Sequence, residues 1–303
     1  MPESRARGRA WSLESRARGS AWPRLACLLV ALTLSACVTV TTEPRAVLLE
    51  EHQQVRVEHL NCTEAITKAR HVAPTAQGLD PGGFRLLTWN IHKQGDKGWQ
   101  RDLAAFAHDA DVVLLQELVL EPEIRHVIEG ASLRWAMASS FLNGNIDIGV
   151  LTAARVSPVA TCTQRVVEPL LRIPKSSVIT WYALKGTPTT VAIVNMHAIN
   201  FSLSLGAYRE QLFAMRDALA QHQGPIVFAG DLNTWTQGRY DAVNAVAHSL
   251  GLTEISYAPD KRRLFFGKQL DHIFVRGLSM VESAAYEVTS SDHNPVMATL
   301  RLH

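Results

Sequence analysis

The stretch Gly224 to Trp235, GPIVFAGDLNTW, constrains this chain more than any other. Gly224-Pro225 stops whatever precedes it, and Pro225 to Ala229 is a short apolar run of the kind that forms a buried strand. The run ends at Gly230, and Asp231, Leu232 and Asn233 follow. Side chains two apart on extended backbone project the same way, so Asp231 and Asn233 face one cleft at the strand's end. Taken alone, GDLN reads as a turn, because Asp and Asn are turn formers and so short a motif recurs by chance. Other stretches must supply the rest of a site before it counts.

A composition of 47% hydrophobic and 19% charged residues suits a soluble folded domain. The amino terminus has another character. Residues 1 to 24 carry Arg5, Arg7, Arg9, Arg16, Arg18 and Arg24 against Glu3 and Glu14, an apolar run from Leu25 to Leu34 follows, and Ser35-Ala36-Cys37 closes it. A basic segment, an apolar segment too short to span a bilayer and a small-residue site spell a secretory signal. Leu-Ser-Ala-Cys resembles the lipobox of bacterial lipoproteins. Residues 1–36 are therefore read as a lipoprotein-type signal peptide, and Cys37 as a lipid anchor to a membrane of the bacterial cell envelope, facing the periplasm or the exterior. An ordinary signal followed by an incidental cysteine is the alternative. Without residues 1–36, Lys plus Arg falls from 30 to 24 and Asp plus Glu from 28 to 26, a net charge of −2. Overall charge thus gives no support to a dedicated double-strand DNA binder. Cys62 and Cys162 remain, and form either a disulfide, which an oxidising compartment permits, or two free buried thiols.

Residues 37–82 read as a tether, with Val-Thr-Val-Thr-Thr from Val38 onward and one short helix. Residues 83–303 read as a single domain of apolar strands and a few helices. Strands are expected at Phe84–Asn90, Asp111–Glu117, Arg134–Ala138, Asp147–Thr152, Val178–Leu184 and Thr190–Met196, then near His272–Val275, Ala284–Val288 and Val296–Leu302. Helices are expected at Gly98–His108, Ser204–Gln223 and Arg239–Leu250. The second is the clearest, with Leu205, Tyr208, Leu212, Met215 and Leu219 at spacings of three and four. Many strands with few long helices argue a layered α/β protein in which sheet packs on sheet.

The chemistry gathers where those strands end. Asn90 closes LLTWN, Glu117 closes DVVLLQE and His197 closes VAIVNMH; Asp271 opens LDHIF, and Asp292-His293 lies in SSDHNP before the last strand. Each alone is a strand-end cap. Together with Asp231 and Asn233 they make carboxylates, amides and imidazoles at strand edges, the make-up of a Mg²⁺ site for phosphate chemistry. Mg²⁺ takes oxygen ligands and keeps several waters, so one or two carboxylates suffice to hold it. Imidazoles donate to phosphate oxygens while a carboxylate orients the attacking water.

With WN, QE, N-x-H, GDLN, LDHIF and SDHNP in this order, residues 84 to 302 resemble the endonuclease/exonuclease/phosphatase superfamily. WNIHKQ, EPLLRIPK, HAINFS and GDLNTW resemble its YafD-like bacterial branch. The resemblance implies a four-layer α/β/β/α sandwich of two packed mixed sheets flanked by helices, with the site at one end. It implies roles as well. Glu117 is the principal metal ligand, with Asn90 and Asp292 beside it, and Mg²⁺ is the expected ion, with Mn²⁺ as a substitute. Asp231 aligns or deprotonates water and Asn233 holds the water or the phosphate. His293 is the catalytic imidazole paired with Asp271, and His197 is the second imidazole. Where some members carry Asp two residues after the WN asparagine, this chain has His92, which leaves a second-metal arrangement open.

Lys175 and Arg172 stand equally well as phosphate grips or solvated bases. Asp147 reads as a strand-end residue sooner than as a partner of His197, and Lys261-Arg262-Arg263 as an exposed loop. The expectation is a monomeric, extracytoplasmic, Mg²⁺-dependent phosphodiesterase or nuclease. Its substrate is a phosphate ester, nucleic acid or phospholipid. A sphingomyelin-type headgroup phosphodiesterase and a non-catalytic binding module on the same scaffold are the alternatives.

Overall fold

In the computed structural model, each apolar run that ends or opens on one of these polar residues is a strand. The structure describes residues 38–40, 45–49, 55–58, 60–70, 72–202 and 204–303, and the compact unit runs from Thr39 to His303. The leader and Cys37 lie outside the described residues. The strands are β1 (Arg45–Leu49), β2 (Val55–Glu58), β3 (Phe84–Asn90), β4 (Val112–Val119), β5 (Arg134–Asn143), β6 (Ile146–Ala154) and β7 (Ala160–Val167), followed by β8 (Pro174–Ala183), β9 (Thr190–His197), β10 (Ile226–Asp231), β11 (Asp271–Arg276), β12 (Leu278–Ala285) and β13 (Val296–Leu302). The helices are α1 (Cys62–Ala69), α2 (Trp99–Asp109), α3 (Pro122–Gly130), α4 (Gly206–Leu219) and α5 (Gln237–Ser249).

One sheet runs β12-β13-β3-β4-β6-β5-β1-β2, and the other β11-β10-β9-β8-β7 with Thr253–Glu254 at its edge. Both are mixed: β3 and β4 are parallel, as are β9 and β10, among antiparallel neighbours. Strand β4 shows why its run is apolar on both faces. Val112 and Leu114 point between the sheets, against Val191, Ile193, Val227 and Ile273. Val113 and Leu115 point outward, under Leu103 and Ala107 of α2 and Ile124 and Ile128 of α3. Period-two alternation with both faces buried needs no polar residue until the strand ends. On the far side, Tyr208, Leu212, Met215 and Leu219 of α4 and Val243 and Val246 of α5 cover Val194, Phe228 and Phe274. Each such buried side chain contributes about 1.5–3 kcal/mol. The layers are helix, sheet, sheet, helix, as the resemblance implies.

Five elements differ from the sequence reading. The segment read as a tether does hold its short helix, α1, and it also holds β1 and β2, with β1 paired to β5 and Ala46 and Val47 buried. Helix α3, whose apolar face is only Ile124, Val127 and Ile128, and β7, an edge strand of mixed polarity, are absent from the sequence reading. The expected strand at Ala284–Val288 ends instead at Ala285, in β12. Of the two fates for the cysteines, the structure has the disulfide: Cys62 of α1 is bonded to Cys162 of β7, with Cα atoms 4.9 Å apart.

Candidate active site

Strands β9, β10 and β11 lie side by side with His197 opposite Asp231 and Asp231 opposite Asp271. One rung of the second sheet thus carries an imidazole and two carboxylates. Gly230 makes the approach feasible: its φ is 136°, and a Cβ there would lie 2.1 Å from the Met196 carbonyl oxygen. A side chain could not fit without forcing β9 and β10 apart. Beyond the strand, Asn233 adopts φ 50° and its amide N donates to Asp231 Oδ1 at 3.0 Å. This local turn points the Asn233 side chain back, where Nδ2 donates to the Ala198 carbonyl at 3.0 Å. Asp231 and Asn233 line the same cleft, through this turn and not through the extended backbone expected from their spacing.

The first sheet supplies the opposite wall. Its β4–β6 register breaks between Leu115 and Leu118, and Glu117 sits in that bulge at φ 52°. Bulges re-aim side chains next to active sites; here the bulge brings Glu117 into the cleft. Asn90 ends β3 and donates from Nδ2 to Asp231 Oδ2 at 3.0 Å, joining the two sheets. The SSDHNP loop is tied to β3 from both sides: Ser291 Oγ donates to the Asn90 carbonyl at 2.7 Å, and Trp89 Nε1 to the His293 carbonyl at 3.1 Å.

Asn90, Glu117, Asp231, Asn233, Asp292 and His293 line one cleft of about 490 Å³. His197 opens on an adjoining cavity of about 170 Å³ that shares Glu117 with it. Asp271, 1% exposed, backs His293. The eight residues named from sequence as catalytic or metal-binding therefore meet at one place.

The two imidazoles differ in charge at neutral pH: His293 is protonated and His197 is neutral. His293 Nδ1 lies 2.7 Å from Asp271 Oδ2 and Nε2 lies 3.9 Å from Asp231 Oδ2. Burial works against its charge, but the Asp271 and Asp231 carboxylates prevail and raise it to about 10. His197 is held down to about 4, by burial first and then by the Lys175 ammonium, against the pull of Asp231 and Glu117. Lys175 Nζ donates to His197 Nε2 at 3.0 Å and stands 3.8 Å from Glu117 Oε1. Burial pulls Lys175 below the usual lysine value, with Glu117 and Asp231 opposing. For Glu117 burial favours the neutral acid, yet His197, Lys175 and Lys93 bring it to about 2. Lys93 also forms an ion pair with Glu117.

The donor set fits a hard divalent ion: Glu117, Asp292 and Asn90 line one cleft, the Asn90 Oδ1 already accepts from His92 N at 3.0 Å and keeps one lone pair, and Glu117 is ionised throughout the neutral range. Asp231, Asp271 and His293 also bring one ligand atom each within 4.8 Å of one another. Their imidazole is engaged by Asp271 and charged, so these three are better placed to hold protons than a metal. His92 pairs with Asp96 at 2.7 Å and lies 3.9 Å from Asp292.

The subsidiary residues divide. Lys175 reaches the site, whereas Arg172 is exposed on its loop. Asp147 pairs with Arg45 at 3.2 Å and not with His197. Of Lys261-Arg262-Arg263, Arg262 turns inward and donates from Nη1 to the Asp271 carbonyl at 2.9 Å. Sequence reasoning missed the supports. Gln211 of α4 holds the end of β9, accepting from Ile199 N at 2.9 Å and donating to the His197 carbonyl at 3.1 Å. Buried Arg239 of α5 donates to the Asn200 carbonyl at 2.7 Å and the Asn233 carbonyl at 3.3 Å. Both read as ordinary surface residues of amphipathic helices. A polar residue on the buried face of α4 was the available signal.

Comparison with known proteins agrees with this geometry. Residues 87–293 match the family described as Endonuclease/Exonuclease/phosphatase family. A UPF0294 protein of Vibrio parahaemolyticus is 34% identical over 281 residues, covering 92% of this chain and 97% of its own. A UPF0294 protein of Klebsiella pneumoniae is 38% identical over 214 residues, covering 71% of this chain and 80% of its own. Among solved structures, an endonuclease/exonuclease/phosphatase from Beutenbergia cavernae superposes with a TM-score of 0.57 at 18% identity, over 73% of this chain and 72% of that one.

Proposed function

The chain belongs to the endonuclease/exonuclease/phosphatase family, and from that membership we propose that it is a Mg²⁺-dependent phosphodiester hydrolase acting outside the cytoplasm. Members of this family are in general phosphoesterases that use a divalent metal. What carries the finer reading is the meeting of Asn90, Glu117, Asp231, Asn233 and His293 in one cleft, with His197 and Asp271 directly behind. The leader and Cys37 support action at the cell envelope through a lipid anchor.

Glu117, with Asn90 and Asp292, would hold the ion. When bound, it supplies positive charge that polarises a phosphoryl oxygen and offsets the charge developing there. The chain's own groups do the rest. Asp231 accepts the proton of a water aligned by Asn233. His293, charged and oriented by Asp271, donates to a phosphoryl or leaving oxygen. Lys175 adds a second positive charge beside neutral His197. Water attacks phosphorus in line with the departing alcohol.

The test is hydrolysis of bis(4-nitrophenyl) phosphate by the purified chain with Mg²⁺, alongside DNA. Glu117→Gln should keep the fold and lose most turnover, and EDTA should abolish it. Near-normal rates in EDTA would overturn the metal dependence. Metal binding with no turnover on any phosphodiester would favour a binding module.

A further inference from the structure

Two apolar lips frame the opening of the cleft. The loops after β7 and β9 form the first, where Val167, Leu170, Leu171 and Phe201 are 44%, 49%, 53% and 49% exposed. The hairpin of Leu264–Phe265 with Lys268–Gln269 forms the second, where Leu264, Phe265 and Phe266 are 59%, 49% and 79% exposed. Leu264 and Phe265 line the cleft itself, and Phe201 and Leu171 line the adjoining cavity. Soluble proteins rarely expose so many large apolar groups together unless the patch meets something.

This exposure is built and not slack. Glu168 is 1% exposed, and its Oε1 accepts from Asn200 N at 2.8 Å and Phe201 N at 2.7 Å. Its backbone closes the neighbouring loop: Glu168 N donates to the Ile173 carbonyl at 3.1 Å, and Arg172 N to the Glu168 carbonyl at 2.9 Å. One buried carboxylate thus ties together both halves of the first lip. In the second, the tight turn Phe266-Gly267 takes positive φ at both residues, 49° and 75°, and the Phe265 and Phe266 rings sit 4.5 Å apart.

Between the lips, the adjoining cavity of about 170 Å³ runs from Glu117, Lys175 and His197 to Phe141, Ile148, Leu171, Ile173 and Phe201. One end suits a phosphate and the other an apolar chain. Exposed Arg172 follows Leu171 and exposed Arg263 precedes Leu264, so cations flank the apolar groups. That pairing matches a lipid surface with anionic headgroups. Base stacking uses aromatic faces, which only Phe201, Phe265 and Phe266 present; Val167, Leu170, Leu171 and Leu264 offer none, whereas a lipid surface engages all seven.

We propose that this face docks on a lipid surface carrying anionic headgroups and that the site acts there on a lipid phosphodiester. The two lips enter the interface and the side cavity receives an apolar chain. The docking stands on its own; the choice of substrate rests on the phosphodiesterase reading above. The reaction consumes one water. Its oxygen joins phosphorus, the bond from phosphorus to one alcohol oxygen breaks, and the alcohol departs with a proton, leaving a phosphate monoester.

The experiment compares the full chain carrying Cys37→Ser, which removes the lipid acceptor, with the same chain also carrying Leu170→Ser and Phe266→Ser. Neither residue lines the cleft or its side cavity, and the leader contributes equally to both proteins. Co-sedimentation with vesicles of phosphatidylglycerol and phosphatidylethanolamine should weaken at least about tenfold in the variant, while hydrolysis of soluble bis(4-nitrophenyl) phosphate stays the same. Hydrolysis of vesicle phosphatidylglycerol should fall with the sedimentation. Equal sedimentation of the two proteins overturns the docking. So does loss of single-stranded oligonucleotide binding in the variant with vesicle binding intact, which would assign the lips to nucleic acid. Vesicle binding with no hydrolysis of either ester would leave the docking standing and remove the phosphodiesterase.

Discussion

Gln116 Nε2 donates to Asn195 Oδ1 at 2.8 Å across the gap between the two sheets. Gln116 also donates to Thr88 Oγ1 at 3.1 Å, and Asn195 Nδ2 to the Leu115 and Leu151 carbonyls at 3.2 and 2.9 Å. Both side chains are fully buried. Gln116 precedes Glu117 and Asn195 lies two before His197, so this bridge sets one wall of the cleft against the other. Apolar packing alone lets two sheets slide; a buried pair of amides accepts one alignment.

Gln116→Leu should therefore damage stability and turnover together. It leaves Asn195 Oδ1 buried without its donor, a loss of about 1–3 kcal/mol in urea unfolding. A misplacement near 1 Å between the walls lowers turnover by about a hundredfold. Asn195→Leu should match it, and the double variant should lose less than the two losses combined. Full stability loss with normal turnover would show that the bridge does not align the site.

Asp271 and His293 should act as one unit. Asp271→Asn and His293→Ala should each reduce turnover on a soluble phosphodiester by roughly two orders of magnitude or more, and the double variant should be little worse than His293→Ala. The sign of the pH effect follows from the carboxylates that hold His293 near 10. With Asp271 neutralised, the imidazole loses its proton at lower pH, so the alkaline limb of the rate profile should move down in pH. An unmoved limb would mean that the proton in question sits elsewhere.

Lys175 is a further cation at the site, beside Lys93 and next to His197. Lys175→Met should lower turnover about a hundredfold or more, the cost of removing one donor aimed at developing charge. Lys175→Arg, which keeps the charge with altered reach, should recover part of it. If Met and Arg behave alike and near wild type, Lys175 only packs against His197.

The strands and their polar ends were legible because an apolar run that stops at Asn, Glu, His or Asp has few other readings. Asn90, His197 and Asp231 stand at such ends, whereas Glu117 sits in a bulge two residues inside β4 and Asn233 two residues beyond β10. The pairing of Asp271 with His293 came from resemblance; the adjacency of β10 and β11 is a matter of topology that no local pattern records. The strands within residues 37–82 escape a sequence reading because β1 and β2 are short and β1 pairs with β5, about ninety residues on, while β2 pairs only with β1 among the described residues. The charge state of His197 was out of reach for a similar reason. Lys175 meets it only because β8 and β9 are antiparallel neighbours.

Acid should unfold this protein partly through His222. The side chain is 4% exposed, and its Nε2–H donates to the Pro225 carbonyl at 3.0 Å. Burial, assisted by Arg276, lowers it from 6.5 to about 4. The folded state therefore holds fewer protons than the unfolded chain between those values. Stability from this group is complete above 6.5 and is lost as pH falls toward 4, by up to about 3 kcal/mol. His222→Gln should be less stable at neutral pH and show a shallower loss between pH 6.5 and 4. A variant as steep as wild type would place the acid sensitivity on other groups, with His197 the first to examine.

The Cys62–Cys162 bond closes a loop of sequence separation 100. It ties α1 to the edge strand β7, where Ile66 and Ala69 join the same apolar cluster as buried Cys162. A crosslink over so long a loop restricts the unfolded chain most, and the chain-entropy model gives about 4–5 kcal/mol. Reductant should lower the urea midpoint of wild type and leave Cys62→Ser/Cys162→Ser unchanged. The variant should also lose protection first in α1, because the helix has only eight residues and holds to the sheet through this bond and a few buried contacts. Turnover measured below the melting range should survive, since neither cysteine lines the cleft or its side cavity. A wild type indifferent to reductant would mean that the two thiols are free in solution.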